Sequence, residues 1–363
     1  MRRLVSALSI ILLTVFLPLV IAIPSAHAAP AGSDAAFNIT TSPLPIQLAT
    51  TPSKPVSTDL RVQNSGTQPA NIKISLLKFK SSDKTGKPLL IKQEPGDTYF
   101  NWVTFSKTNF TAQPGEWNTI SMTINPSEDA AYGYYYAVLF SQDTSKTPVG
   151  PKSSKLTGAT ATLVLLDVQV PGEKRKLEVT SFTTDHKLYE YLPVNFNVAV
   201  HNSGNVHLVP AGDVFISRGH KNNLAVLSFN SNAGNVLPKS TRNFTVSWTD
   251  GFPVFTTKRD NDQIVSDKKG KPIEELKYDF SHTNKLRFGH YYAHLLLTYN
   301  DGAKDVPIDA EVGFWVIPWK VIGSVILLIA ALYGWHRLSV KRAVNKQVKK
   351  TTNSKPKTKK ADD

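Results

Sequence analysis

The chain contains no cysteine among its 363 residues and only two methionines. Without thiols it forms no disulfide, offers no thiolate nucleophile and carries no lipoprotein anchor, so an ordinary apolar core must hold each folded unit. Outside the C-terminal apolar run, no stretch repeats its apolar residues at the helical period over a useful length. Catalytic signatures are missing as well. There is no Gly-x-Ser-x-Gly elbow, no His-Glu-x-x-His helix and no phosphate-cradling glycine loop. The expectation is a binding protein without catalysis, cofactor or metal.

What is present is clearest at the two ends. Arg2 and Arg3 precede the apolar run Leu4–Ile23, and Ala26-His27-Ala28 has the small-x-small form that signal peptidase accepts. Residues 1–28 therefore read as a secretory signal cleaved after Ala28. An uncleaved anchor is the alternative, because an apolar run of that length also suits a bilayer. Near the other end, residues 314–336 read as one transmembrane helix: Val321–Trp335 has no charge, and Trp315, Trp319, Tyr333 and Trp335 suit interfacial belts. Lys320 sits close enough to the edge to snorkel.

Residues 337–363 then form a lysine-rich tail, expected to be disordered and cytoplasmic by the positive-inside rule. Of the formal net charge of +14, the tail holds +8 and Arg2 with Arg3 hold +2, leaving only +4 for everything between. That balance excludes a nucleic-acid partner and points instead to anionic lipid beside the span. The partners are then the lipid bilayer through the helix, and peptidoglycan or another surface protein through the region outside. The localisation expected is a single-pass protein of a bacterial cell membrane.

That outer region says the same things twice. Asp59–Thr67 is an alternating run ending in Asn64-Ser65-Gly66, and Asn195–Asn205 repeats it with Asn202-Ser203-Gly204. Pro114 leads into Ile120–Ile124 as Pro238 leads into Phe244–Trp248. Gly133-Tyr134-Tyr135-Tyr136-Ala137-Val138-Leu139 is matched by Gly289-His290-Tyr291-Tyr292-Ala293-His294-Leu295. Three phrases in one order, among short alternating runs bounded by Gly, Pro, Asn and Ser, predict an all-β chain. Two tandem immunoglobulin-like β-sandwiches follow, over 29–172 and 173–313. Nineteen residues separate Pro114 from Gly133 but 51 separate Pro238 from Gly289, so the second copy carries an insertion at about 250–287, a candidate contact surface.

Trp102, Phe110, Pro114-Gly115-Glu116, alternating Ile120 and Ile124, Pro126, and Gly133 with Tyr135-Tyr136-Ala137 resemble the immunoglobulin-like domains of the bacterial WxL-interacting protein family. The order of signal, two sandwiches, span and basic tail is similar to that family too. The resemblance implies a cell-envelope protein whose first domain binds peptidoglycan and whose second binds host ligands.

Among single residues, Tyr134 and Tyr136 share one face of a strand and are the candidate ligand-binding pair, an aromatic platform for a flat polymer; core packing is the competing use. Trp102 and Trp117 read as packing residues. His290 and His294 lie four apart, but on a strand, which makes them solvent-facing rather than a metal pair. His201 and His207 have no third ligand at metal spacing, and Asp260-Asn261-Asp262 lacks the glycine and distal glutamate of a calcium loop. The function expected is adhesion or scaffolding at the cell surface. An accessory subunit of a secretion or envelope-remodelling complex is the alternative.

Overall fold

In the N-terminal half, ten strands follow from short alternating runs: β1 (Ile39–Ser42), β2 (Ile46–Thr50), β3 (Val56–Asn64), β4 (Ala70–Ser81), β5 (Pro88–Ile91), β6 (Val103–Phe105), β7 (Asn109–Ala112), β8 (Trp117–Ile124), β9 (Tyr132–Gln142) and β10 (Ala159–Val168). The C-terminal half adds β11 (Leu177–Thr184), β12 (Leu188–Tyr189), β13 (Val194–Asn202), β14 (Ala211–Arg218), β15 (Lys221–Phe229), β16 (Thr241–Trp248), β17 (Val254–Thr257), β18 (Arg259–Asp260), β19 (Gln263–Ile264), β20 (Glu274–Lys277), β21 (Gly289–Asn300) and β22 (Asp305–Val316). One α-helix, α1 (Trp319–Thr352), follows them among the described residues. This computed structural model describes residues 37–82, 84–143, 158–219 and 221–352. The signal expected over residues 1–28 lies outside them, as does the tail beyond 352.

The repeated phrases fall on β3 and β13, β8 and β16, and β9 and β21. Their sheets repeat as well. The N-terminal half orders its strands β1-β3-β8-β6 and β2-β10-β9-β4-β5; the C-terminal half orders β11-β13-β16 and β12-β22-β21-β14-β15. In each half the short second strand joins the last one in parallel, while the other pairings are antiparallel. Alternation along these strands sends Leu60, Ile120, Tyr136 and Val164, from both sheets, into one apolar cluster, and Val198, Val246, Tyr291 and Phe314 into another.

The Asn-Ser-Gly phrase has the same use in both halves. Buried Asn64 donates to the carbonyls of Gln68 and Ala112 and accepts from the Gly66 amide. Buried Asn202 donates to Val206 and Val236 and accepts from Gly204. Each amide side chain thereby bonds three backbone groups and ties its turn to a neighbouring segment.

Two expected boundaries move. Phe314–Val316 belongs to β22 rather than to the span, because Phe314 and Val316 are fully buried in the C-terminal core and alternate with exposed Trp315. The helix begins at Trp319, just after Pro318, and runs on to Thr352, so the first part of the basic tail is helical rather than disordered; its Lys, Arg, Ala and Gln are good helix formers. The insertion at 250–287 forms the hairpin β17–β20, a smaller hairpin β18–β19 and a short 3-10 turn at Phe280–Lys285.

Candidate binding cleft between the two halves

Strand β10 is apolar on both faces, with Val164, Leu166 and Val168 in the core and Leu163 and Leu165 on the outer side. Both sides of such a strand need covering. On the outer side Leu165 and Ala137 pack with Phe79, Leu77, Tyr135 and Leu237. Leu237 comes from the C-terminal half, so the segment before β16 closes over the outer face of the N-terminal sheet. The cover is partial. Beside it lies a 490 Å³ cleft walled by Leu44, Phe79, Leu90 and Leu163 from one half and by Asn232–Asn235, Leu237 and Arg242 from the other. Its rim is apolar as well: Leu44, Leu89 and Leu90 are exposed.

Arg242 is the one charged side chain of the C-terminal half that lines this cleft. It sits at the start of β16, facing the same way as Phe244, with its guanidinium 5.0 Å from that ring. One nitrogen donates to the Asn235 carbonyl at 2.9 Å, and buried Nε has no acceptor. Among the described residues no carboxylate comes within ion-pair distance of it, and burial alone pushes its pKa down. Gly86, at φ +74°, and Gly234 make room for it: a Cβ at either would collide with the guanidinium. Two glycines from opposite halves thus flank a half-buried cation in an apolar cleft. Chemically the arrangement can receive an anion with apolar flanks.

The exposed pair expected at Tyr134 and Tyr136 is not found, and this corrects the polymer platform drawn from it. Tyr136 is fully buried, its ring edge-on to Tyr99 and Phe100 and its hydroxyl donating to the Tyr99 carbonyl at 3.2 Å. Tyr134 is half-buried against Trp102 at 4.8 Å, and its hydroxyl accepts from the Ala131 amide. Tyr135, on the opposite face, is covered by the C-terminal half. Trp102 packs against the core, whereas Trp117 is exposed beneath the Arg61 guanidinium. His290 and His294 stay on the outer face of β21, as alternation expects, and His294 pairs with Glu311 at 2.9 Å. Among the described residues no three histidines or carboxylates gather as a metal site.

Beside the cleft, Asp167, Tyr135, Glu173, Arg175 and His207 form a polar contact between the halves. Arg175 bridges Asp167, at 2.7 Å, and Glu173. Burial, then the charge of Glu173, raises the Asp167 pKa against the pull of Arg175, and burial, then Arg175, lowers that of His207 to about 4. His207 is therefore neutral in the folded chain where it would charge in the unfolded one. Between about pH 6.5 and 4 the unfolded state binds the extra proton, so stability falls as pH falls, by roughly 2–3 kcal/mol over the window. The raised pKa of Asp167 has the opposite sign and offsets part of the loss at the acid end. Urea midpoints at pH 7 and 4.5 should therefore differ less for His207→Gln than for the parent chain.

No family model matches the chain, and no curated protein matches it. Solved structures similar to it include the class 5 fimbriae chaperone CfaA, at 14% identity and TM-score 0.36 over 76% of this chain and 98% of that one. The CsuC–CsuE chaperone–tip adhesion subunit complex of Acinetobacter baumannii gives 12%, 0.34, 75% and 97%. A PapD-like domain of human CEP192 gives 13% and 0.26 over 40% of this chain and 95% of that domain. At these scores the likeness carries no statement about what the chain binds.

Proposed function

We propose that this is a non-catalytic, membrane-anchored protein whose two halves are immunoglobulin-like β-sandwiches and whose ligand is an apolar segment bearing one anionic group, held between them. The observation that carries this reading is Arg242: a half-buried cation in an apolar cleft, with no carboxylate among the described residues at ion-pair distance, costs free energy that a ligand anion would offset. A hydrated polymer such as peptidoglycan fits less well, since it calls for exposed rings and polar groups where the cleft presents leucines. An acyl chain or a peptide segment of another surface protein has the required chemistry. The span is α1, apolar enough over Trp319–Lys346 to cross a bilayer, with basic residues after Trp335 holding its end in the cytoplasm and both halves outside.

The test is a titration of the full chain with dansyl-leucine, an apolar fluorophore carrying one carboxylate, against its methyl ester. A charge-assisted hydrogen bond contributes about 1.5–3 kcal/mol, so the acid should bind the parent roughly 10–100-fold tighter than the ester. Arg242→Gln should erase that difference. Equal affinity of acid and ester for the parent would remove Arg242 from the site and the reading with it.

A further inference from the structure

The insertion between β16 and β21 has an aromatic face that the other described residues leave exposed. Phe252, Tyr278 and Phe280 form one cluster, with Phe252 and Phe280 at 5.6 Å and Tyr278 stacked on Phe280 at 6.4 Å. Phe280 is 73% exposed and Tyr278 56%; Leu286 and Phe288 continue the patch. The patch is held in place. Asp250, at the foot of the insertion, pairs with Lys285 and with Arg287 at 2.9 Å, and Asp279 caps the 3-10 turn by accepting from the Ser281 amide.

Its position relative to α1 says what covers it. A 540 Å³ groove runs between the insertion and the helix, with Tyr191, Leu276 and Tyr278 on one wall and Val321, Val325 and Leu328 on the other. The helix is fixed at its start by Lys320, whose ammonium lies 2.7 Å from buried Glu190. At about 1.5 Å rise per residue, Val325 lies about 9 Å and Leu328 about 13 Å beyond Trp319 along the axis. On the membrane reading above, those two residues are already within the hydrocarbon of the outer leaflet. Tyr278 lines the same groove as they do.

We infer that the insertion is a membrane foot: Tyr278, Phe280 and Leu286 enter the outer interface of the bilayer beside α1. The occupant of the aromatic patch is lipid, and the foot sets the tilt of the C-terminal half over the membrane. Tyrosine is suited to that depth, its ring buried and its hydroxyl wet, and the phenylalanine stacked on it adds apolar area. Charge is not the attraction. Eight basic and seven acidic residues between Asp250 and Arg287 nearly cancel, so insertion should be insensitive to salt and to anionic lipid content.

The inference rests on α1 spanning the bilayer, and the absence of cysteine lets one experiment separate the two. Full-length Phe280→Cys, Leu286→Cys, Ile329→Cys and Lys92→Cys variants are each labelled with an environment-sensitive fluorophore, reconstituted in phosphatidylcholine vesicles, and quenched by lipids spin-labelled at shallow or deep acyl positions. Positions 280 and 286 should lose most of their emission to the shallow quencher, 329 to the deep one and 92 to neither. Quenching at 329 with none at 280 and 286 overturns the foot while leaving the span, and would mean that the patch meets a protein. No quenching at 329 overturns the span and the foot together.

Discussion

Replacing Trp248 by alanine is expected to lower the stability of the C-terminal half by about 3–5 kcal/mol, the range for emptying a large buried aromatic site. Trp248 is fully buried: its ring meets Tyr291 edge-on at 5.3 Å and Phe314 at 6.1 Å. Its indole nitrogen has no acceptor, so the loss is one of packing rather than of hydrogen bonding. The Arg287 guanidinium lies 5.3 Å over the same ring while also bonding Asp250, so emptying the site should loosen the base of the insertion as well. Denaturant unfolding followed by near-ultraviolet circular dichroism reads the loss. Trp248→Phe should recover a good part of it, and a change under 1 kcal/mol for the alanine variant would mean the core is not as described.

Asn202→Ala is the second large effect. It leaves the carbonyl of Val206 and the amide of Gly204 without their side-chain partner and the Val236 carbonyl with the Leu208 amide alone, at about 1–3 kcal/mol for each unsatisfied group. A total of roughly 3 kcal/mol or more corresponds to a fall of about 10 °C in the midpoint of thermal unfolding for a unit of this size. Asn202→Asp keeps the size and the acceptor for Gly204 but sets oxygens against two carbonyls, so it should be destabilised too. Calorimetry on both variants distinguishes bonding from volume: recovery by the aspartate would contradict the bonding account. The equivalent change at Asn64 should act on the N-terminal half.

The repeat made much of the fold legible, because alternation is a local property of an extended chain. Asn64 and Asn202, Gly133 and Gly289, and the turns at Pro114 and Pro238 could be paired by eye. Hydropathy alone misplaced the start of the helix, since it does not distinguish the in–out alternation of Phe314-Trp315-Val316 from a uniformly apolar span. The cleft was harder to see. Whether Tyr134 and Tyr136 or Tyr135 faces water depends on what lies over β9 from the other half, and strand alternation fixes only which residues share a face.

Two signals did point to the cleft. The unbroken apolar run Leu163–Leu166 in β10 implies that both faces are covered. Arg242 occupies the position that Asn118 holds in the first copy, each paired with a valine two residues before the buried asparagine. A charge acquired in only one copy of a repeat marks a place where that copy does something the other does not.

The most direct measurement follows the guanidinium nitrogen resonances of Arg242 by nuclear magnetic resonance while dansyl-leucine and then its methyl ester are added to the full chain. The expected result is a saturating shift of the Arg242 signals with the acid, accompanied by the amides of Leu90, Leu163 and Leu237, and little change at Arg242 with the ester. Binding of the acid that leaves Arg242 unmoved, or equal shifts with the ester, would contradict the claim that an anion completes this cleft.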